Sequence, residues 1–307
     1  MIPWQKHTIL VAGVLLCVSA IAAISAYLQK AGGSIMSIEE KKKIVYERYK
    51  DDPWQRLGKP EPGDWLASFP EQGQTFDEYK KEAKNRKTPA RFRIYLLPLG
   101  KIKDEKPELL EEMREYAGIF FGCDTIILSP KPMPQNTYNE ERKQYNGSQI
   151  LDGLIPSVPK DALALSAITM QDLYVPELNF VFGVASLSER VGVYSLARYD
   201  WGGANEKIFL RRSINVMAHE IGHVFGMNHC IFYDCVMCGS NSLAETDRRS
   251  SFLCPLCLDK LQWCLGFDMM KRYEKLAAFY KKHGLKKEEE IIKNRLNYLR
   301  SKSKKDG

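Results

Sequence analysis

The sequence predicts an α/β domain with a twisted, mostly parallel sheet and a small C-terminal lobe. Three observations carry that expectation. Helical and strand-like patterns alternate from residue 91 onward, which is the signature of helices packed on a sheet. About 270 residues follow the N-terminal segment, enough for one sizeable core. A cysteine-rich, loop-rich block with little apolar material then follows residue 229, and it reads as a lobe that needs help to fold.

The chain opens with "TILVAGVLLCVSAIAAISAYL", residues 8–28, which has no charge over 21 positions. As a helix it is about 31 Å long, enough to cross a hydrocarbon core of about 30 Å. Residues 1–35 are therefore read as an N-terminal anchor or signal segment. The run is long for a signal peptide, although Ala20 and Ala22 resemble a cleavage site. Basic residues are denser after it (Lys30, Lys41, Lys42, Lys43) than before it (Lys6). That asymmetry predicts a membrane-anchored protein with its domain in the cytosol. The alternative is a secreted or lumenal protein after signal cleavage, which a glycan on the sequon Asn146-Gly147-Ser148 would reveal.

Residues 36–52 read as a polar helix, and 53–89 as loops with short helices, because Pro and Gly recur there. "RFRIYLLPLG", 91–100, is the first strong strand. Residues 106–122 carry apolar side chains at 109, 110, 113, 116, 117, 120 and 121, which is helical spacing. "CDTIILSP" follows as a strand and "GSQILDGLIPSV" as a short helix. Three further strands, "ALALSAITMQDLY", "NFVFGVASL" and "VGVYSLARY", precede a helix that ends in an unusual cluster.

That cluster is "HEIGHVFGMNHC", residues 219–230. The chain has five histidines, and three lie here. His219 and His223, four apart, share one helix face, so a single metal ion can reach both. Gly226 offers a helix stop, after which the chain can bring His229 back to the same ion. Three neutral nitrogens with the fourth position left for water make the open, catalytic form of a zinc site. Glu220 flanks that face and is placed to take a proton from the water as general base. A packed core histidine is the ordinary reading of one such residue, but the full spacing of three is hard to reach by chance.

The eight cysteines are Cys17, Cys123, Cys230, Cys235, Cys238, Cys254, Cys257 and Cys264. By spacing alone, the two CxxC pairs, Cys235 with Cys238 and Cys254 with Cys257, make a zinc-ribbon-like set of four thiolates. Disulfides are the other reading and would require an oxidising compartment.

The pattern HExxHxxGxxH is that of the metzincin metalloproteases. The longer run "HEIGHVFGMNHCIFYDCVMCGSN…DRRSSFLCPLC", with "ITMQDLY" and "NFVFGVASLSERVGVYSLARY" before it and "KLQWCLGF" and "RYEKL" after it, resembles the archaemetzincins. The resemblance covers about residues 85–280 and leaves the first 35 and last 25 outside. It implies a metzincin-like sheet with an active-site helix, and Met237 as the methionine turn beneath the metal. It implies two zinc ions: a catalytic one on His219, His223 and His229, and a structural one on Cys230, Cys235, Cys254 and Cys257, with Cys238 spare. It also places Phe180–Leu187 as the edge strand lining the cleft, to which a peptide could add. A closed thiolate site would supply folding free energy to the polar lobe.

The net charge is +7, and +6 of it lies from Lys281 to the end. We read residues 281–307 as a basic tail, a solvated helix rather than a nucleic-acid site, since no recognition motif accompanies it. The catalytic domain is expected at 36–280. The expected function is a zinc metalloprotease acting on peptides or proteins. The alternative is an inactive, zinc-stabilised binding module, against which the intact Glu220 argues.

Overall fold

The computed structural model describes residues 9–11, 36–186, 188–200 and 203–303. Its sheet grows outward from the strand Arg93–Leu99 (β2), which pairs parallel with Asp124–Ile127 (β3) on one side and Ala162–Thr169 (β6) on the other. Strand β6 pairs parallel with Val191–Ser195 (β9), and β9 antiparallel with Gly183–Ser186 (β8). A short strand, Ile9–Val11 (β1), lies antiparallel on the outer edge of β8. The order is β1-β8-β9-β6-β2-β3, mostly parallel as the helix–strand alternation predicts. Successive residues of β2 feed opposite faces: Ile94 and Leu96 enter one core cluster, Tyr95, Leu97 and Leu99 the other. Tyr138–Asn139 (β4), Gln144–Asn146 (β5) and Leu173–Tyr174 (β7) form a second, small sheet.

The helices follow the sequence pattern closely. Ile38–Arg48 (α1) starts at a capping box, in which Ser37 and Glu40 satisfy each other's amides. Two short helices, Trp65–Ser68 (α2) and Phe76–Glu82 (α3), punctuate the loops that follow. Ile102–Glu105 (α4) leads into Pro107–Phe121 (α5). Helix α5 buries all seven of the apolar positions picked out by their spacing. It stops at Gly122 with φ 62°, where a Cβ would overlap Phe267. Gly147–Leu154 (α6) covers the opposite face of the sheet, within the cluster that holds Leu97 and Val193. Its N-cap is Asn146, whose side chain accepts from the Gln149 amide and is only 7% exposed. The sequon asparagine thus serves as a helix cap in the folded chain.

Glu206–Val224 (α7) runs under the sheet and carries the first two histidines. Leu243–Arg248 (α8), Pro255–Leu265 (α9), Met269–Lys282 (α10) and Lys286–Ser303 (α11) complete the chain. Helix α11 packs along α10 and buries Ile292 and Leu296. Several of its cations are paired, Arg295 with Asp52 and Arg300 with Glu274.

Residues 46–85 lace the two ends of the fold together. Tyr46 donates to the Phe232 carbonyl, the Trp54 indole to that of Asp234, and Tyr79 to that of Phe225. Asn85 reaches both Leu163 and Val224 carbonyls, joining β6 to α7. The buried ammonium of Lys260 on α9 is held by the Gln74 carbonyl at 2.6 Å. The expected membrane segment 8–28 lies outside the described residues apart from β1. Among the described residues no helix is long and apolar enough to cross a membrane, so anchoring finds no support there.

Arg295 and Asp52 form a two-pronged bridge, 2.7 Å on each side, with both side chains nearly buried. Arg295→Met leaves the carboxylate uncompensated, and we expect a loss of about 3–5 kcal/mol in denaturant unfolding. Adding Asp52→Asn should restore part of that loss, because the unpaired charge goes with it.

Candidate metal centres

Helix α7 begins at Asn205, whose side chain caps the Ile208 amide. Nineteen residues later it ends, and Gly226 at φ +81° turns the chain back. The turn places His229 beside His219 and His223, with ring centroids 5.2 and 5.0 Å away. One nitrogen of each ring lies within 4.8 Å of the others. The three histidines picked out by spacing thus converge.

Their hydrogen bonds fix what those nitrogens are. His219 Nδ1 lies 2.8 Å from the Val236 carbonyl and His223 Nδ1 2.7 Å from that of Met227. A carbonyl can only accept, so both Nδ1 atoms carry the proton. Both Nε2 atoms are then bare lone pairs, yet they face each other at 3.0 Å. Two lone pairs at that distance repel unless a cation lies between them. His229 Nε2 is buried and has no hydrogen-bond partner. The donor set fits a metal held by three Nε2 atoms. Burial, reinforced by His229, pushes His219 down to about 3, and burial holds His223 well below the usual imidazole value. This keeps the two helix-borne rings, His219 and His223, in the neutral form that ligates.

Glu220 is 1% exposed, and neither carboxylate oxygen has a partner. Burial alone pushes it up to about 8. Its carboxyl lies over Gly183 of β8, where any Cβ would overlap it. Together with His219, His229, Trp65, Phe182, Tyr199 and Val236 it lines a cleft. Strand β8 therefore borders the site, as the sequence comparison with metzincins implies. Its outer edge carries β1 of the same chain rather than standing open to a peptide.

Met237 sits under α7, so close that a Cβ on Gly222 would overlap its sulfur. It is fully buried, and its carbonyl accepts from the Cys230 amide at 2.8 Å. The next residue group is the thiols. Cys230, Cys235, Cys254 and Cys257 bring their Sγ atoms within 4.8 Å of one another, all buried. Cys230 and Cys254 sulfurs are 3.7 Å apart, too far for a disulfide. Amides of Met237 and Cys254 point at Cys235 Sγ, and that of Cys257 at Cys254 Sγ, an arrangement that stabilises thiolates. Cys238 stands apart and donates to the Cys230 and Tyr233 carbonyls. The structure therefore assembles the set with Cys230, and the paired-CxxC set read from spacing alone is not the one that converges.

Two neighbours of the site carried no sequence signal. Glu71 Oε1 accepts from His229 Nδ1 at 2.7 Å, and the indole of Trp65 donates to the same oxygen at 2.8 Å. Both sit in a polar, loop-rich stretch.

Comparison with known proteins gives one consistent result. The family model described as Peptidase family M54 matches residues 110–263. Archaemetzincin-2 of Homo sapiens is 34% identical over 263 residues, covering 71% of this chain and 72% of that protein. Archaemetzincin of Methanocaldococcus jannaschii is 36% identical over 175 residues, 56% of this chain and 93% of its own. The crystal structure of archaemetzincin from Methanopyrus kandleri superposes with a TM-score of 0.52 at 29% identity, covering 59% of this chain and 99% of that one.

Cys230→Ser should remove one bound zinc per chain and lower the melting temperature, because a four-thiolate site missing one ligand loses charge and closure. Cys238→Ser should keep full zinc content by elemental analysis. Gly222→Ala should destabilise the protein by about 1–3 kcal/mol through the clash with Met237, despite alanine's better helix propensity.

Proposed function

The chain belongs to the archaemetzincins, peptidase family M54, and on that premise we propose that Glu220 is the general base for peptide-bond hydrolysis at a zinc held by His219, His223 and His229. Zinc-dependent peptidase activity is the property of the family. The observation that carries it is the pair of unprotonated Nε2 atoms facing each other at 3.0 Å, beside a carboxylate that the protein itself leaves unpartnered.

Bound zinc would supply Lewis acidity, lowering the pKa of a water and polarising the scissile carbonyl. The protein supplies the rest. The carbonyls of Val236 and Met227 hold two imidazoles in the ligating tautomer. Glu220 accepts the proton of the attacking water and returns it to the leaving amine. Phe182, Tyr199 and Trp65 wall the cleft and keep bulk water from solvating that carboxylate. The second zinc, on Cys230, Cys235, Cys254 and Cys257, would hold Met237 against α7. A buried set of free thiols favours a reducing compartment, and we place the domain in the cytosol on that ground.

A non-catalytic binding module would share this shape. Burying an unpartnered carboxylate costs several kcal/mol, and a module with no chemistry to perform gains nothing from Glu220. We therefore favour the enzyme.

Glu220→Gln should keep the zinc bound to the three histidines yet lower peptide hydrolysis by about 10²- to 10⁴-fold, since the amide cannot take a proton. His223→Ala should lose both metal and activity. The check is zinc stoichiometry beside a peptide-library digest, with and without chelator. Wild-type turnover by Glu220→Gln would sink the mechanism, and no chelator-sensitive cleavage by the wild type would favour the binding module.

A further inference from the structure

We propose that Glu71 is a positioning residue for the three-histidine metal site, fixing the ring of His229 and placing behind it a negative charge that favours a divalent ion. The inference rests on the metal assignment above but concerns a residue outside the matched span 110–263.

The three histidines are not supported alike. His219 and His223 are held on one rigid helix, and their Nδ1 atoms are fixed by carbonyls close by in sequence, Val236 and Met227. His229 lies beyond the helix, after the Gly226 turn, where no regular structure sets its ring. What sets it comes from 158 residues earlier in the chain: the Glu71 carboxylate on Nδ1 at 2.7 Å. A carboxylate acceptor forces the proton onto Nδ1 and leaves Nε2 free to ligate, as the buried, unpartnered Nε2 shows.

Glu71 is itself held. Its Oε1 also accepts from the Trp65 indole. The Trp65 amide in turn donates to Glu245, and its ring lies edge-on to the His229 ring at 5.5 Å. The same segment grips the turn that carries His229. Gln74 donates to the Gly226 carbonyl and accepts from the Asn228 amide. The segment from Trp65 to Gln74 thus works as a brace aimed at one imidazole.

Charge gives the second argument. Three neutral imidazoles leave both charges of a divalent ion unmatched in a buried site. Among the residues described around the rings, two carboxyl groups are at hand, the buried Glu220 in the cleft and the partly buried Glu71 behind His229. Buried charges persist only when balanced, and a carboxylate behind a ligating histidine also raises its basicity.

The test is zinc affinity, read by competition with a chromophoric chelator on the full chain, together with the ¹⁵N imidazole tautomer of His229. Glu71→Ala should weaken one of the two zinc sites by about 10- to 100-fold and leave the thiolate zinc in place. Glu71→Gln retains an acceptor oxygen for both donors but no charge, so it should bind zinc between wild type and Ala and keep the Nδ1–H tautomer. Wild-type affinity in Glu71→Ala, loss of both zincs from the Gln variant, or a Gln variant no better than Ala would overturn the proposal. If the wild type binds no zinc on its histidines at all, it is the metal assignment that fails instead.

Discussion

Two imidazole nitrogens that cannot tolerate each other without a cation set the terms for this molecule. His219 and His223 are committed by their own Nδ1–H bonds to present lone pairs face to face. The fold has to hold them there against their repulsion, keep them neutral, and bring a third nitrogen to the same point. Burial on α7 does the first two, since a buried imidazole stays uncharged. The third requires the chain to leave the helix, turn, and be caught again. Glu71, Trp65 and Gln74, from the segment before residue 90, make that catch.

The thiol set works on the same problem from the other side. Cys230 directly follows His229, and its amide bonds to the Met237 carbonyl. Met237 in turn fills the space opposite Gly222, between the two helical histidines in sequence. A metal closing Cys230, Cys235, Cys254 and Cys257 would make a rigid floor of this stretch, which buries more apolar material than its polar loops suggest, Phe232, Val236, Phe252 and Leu256 among it. The lobe and the cleft are therefore one construction, with the His229–Cys230 peptide as the shared member.

Much of this was legible in the sequence, and the reasons are local. Helix α5 buries the seven positions its spacing marks because apolar periodicity reports a face directly. The three histidines were legible because a helical spacing plus a glycine stop leaves few geometries. The cysteines were legible only as a group. Cys238 follows Cys235 at a ligand-like interval, but its thiol turns to the Cys230 and Tyr233 carbonyls, and only the family resemblance chose Cys230. Glu71 and Trp65 were not legible at all, since a contact across 158 residues leaves no periodicity and a glutamate in a polar loop reads as solvated. The sequon is visible in the sequence, but the cap that Asn146 makes on α6 is not, because it needs the helix start to be known.

The threading of the N-terminal segment through the site has a consequence for how the protein is made. Synthesis delivers Trp65 and Glu71 first, the histidines much later, and Cys254 and Cys257 later still. A nascent chain that has just exposed His229 has its brace already waiting but lacks the thiols that fix Met237 below. Non-local closures of this kind are slow to form, and here they come last in the order of translation. Closure of the thiol set thus waits for Cys257, which follows all three clustered histidines in the chain.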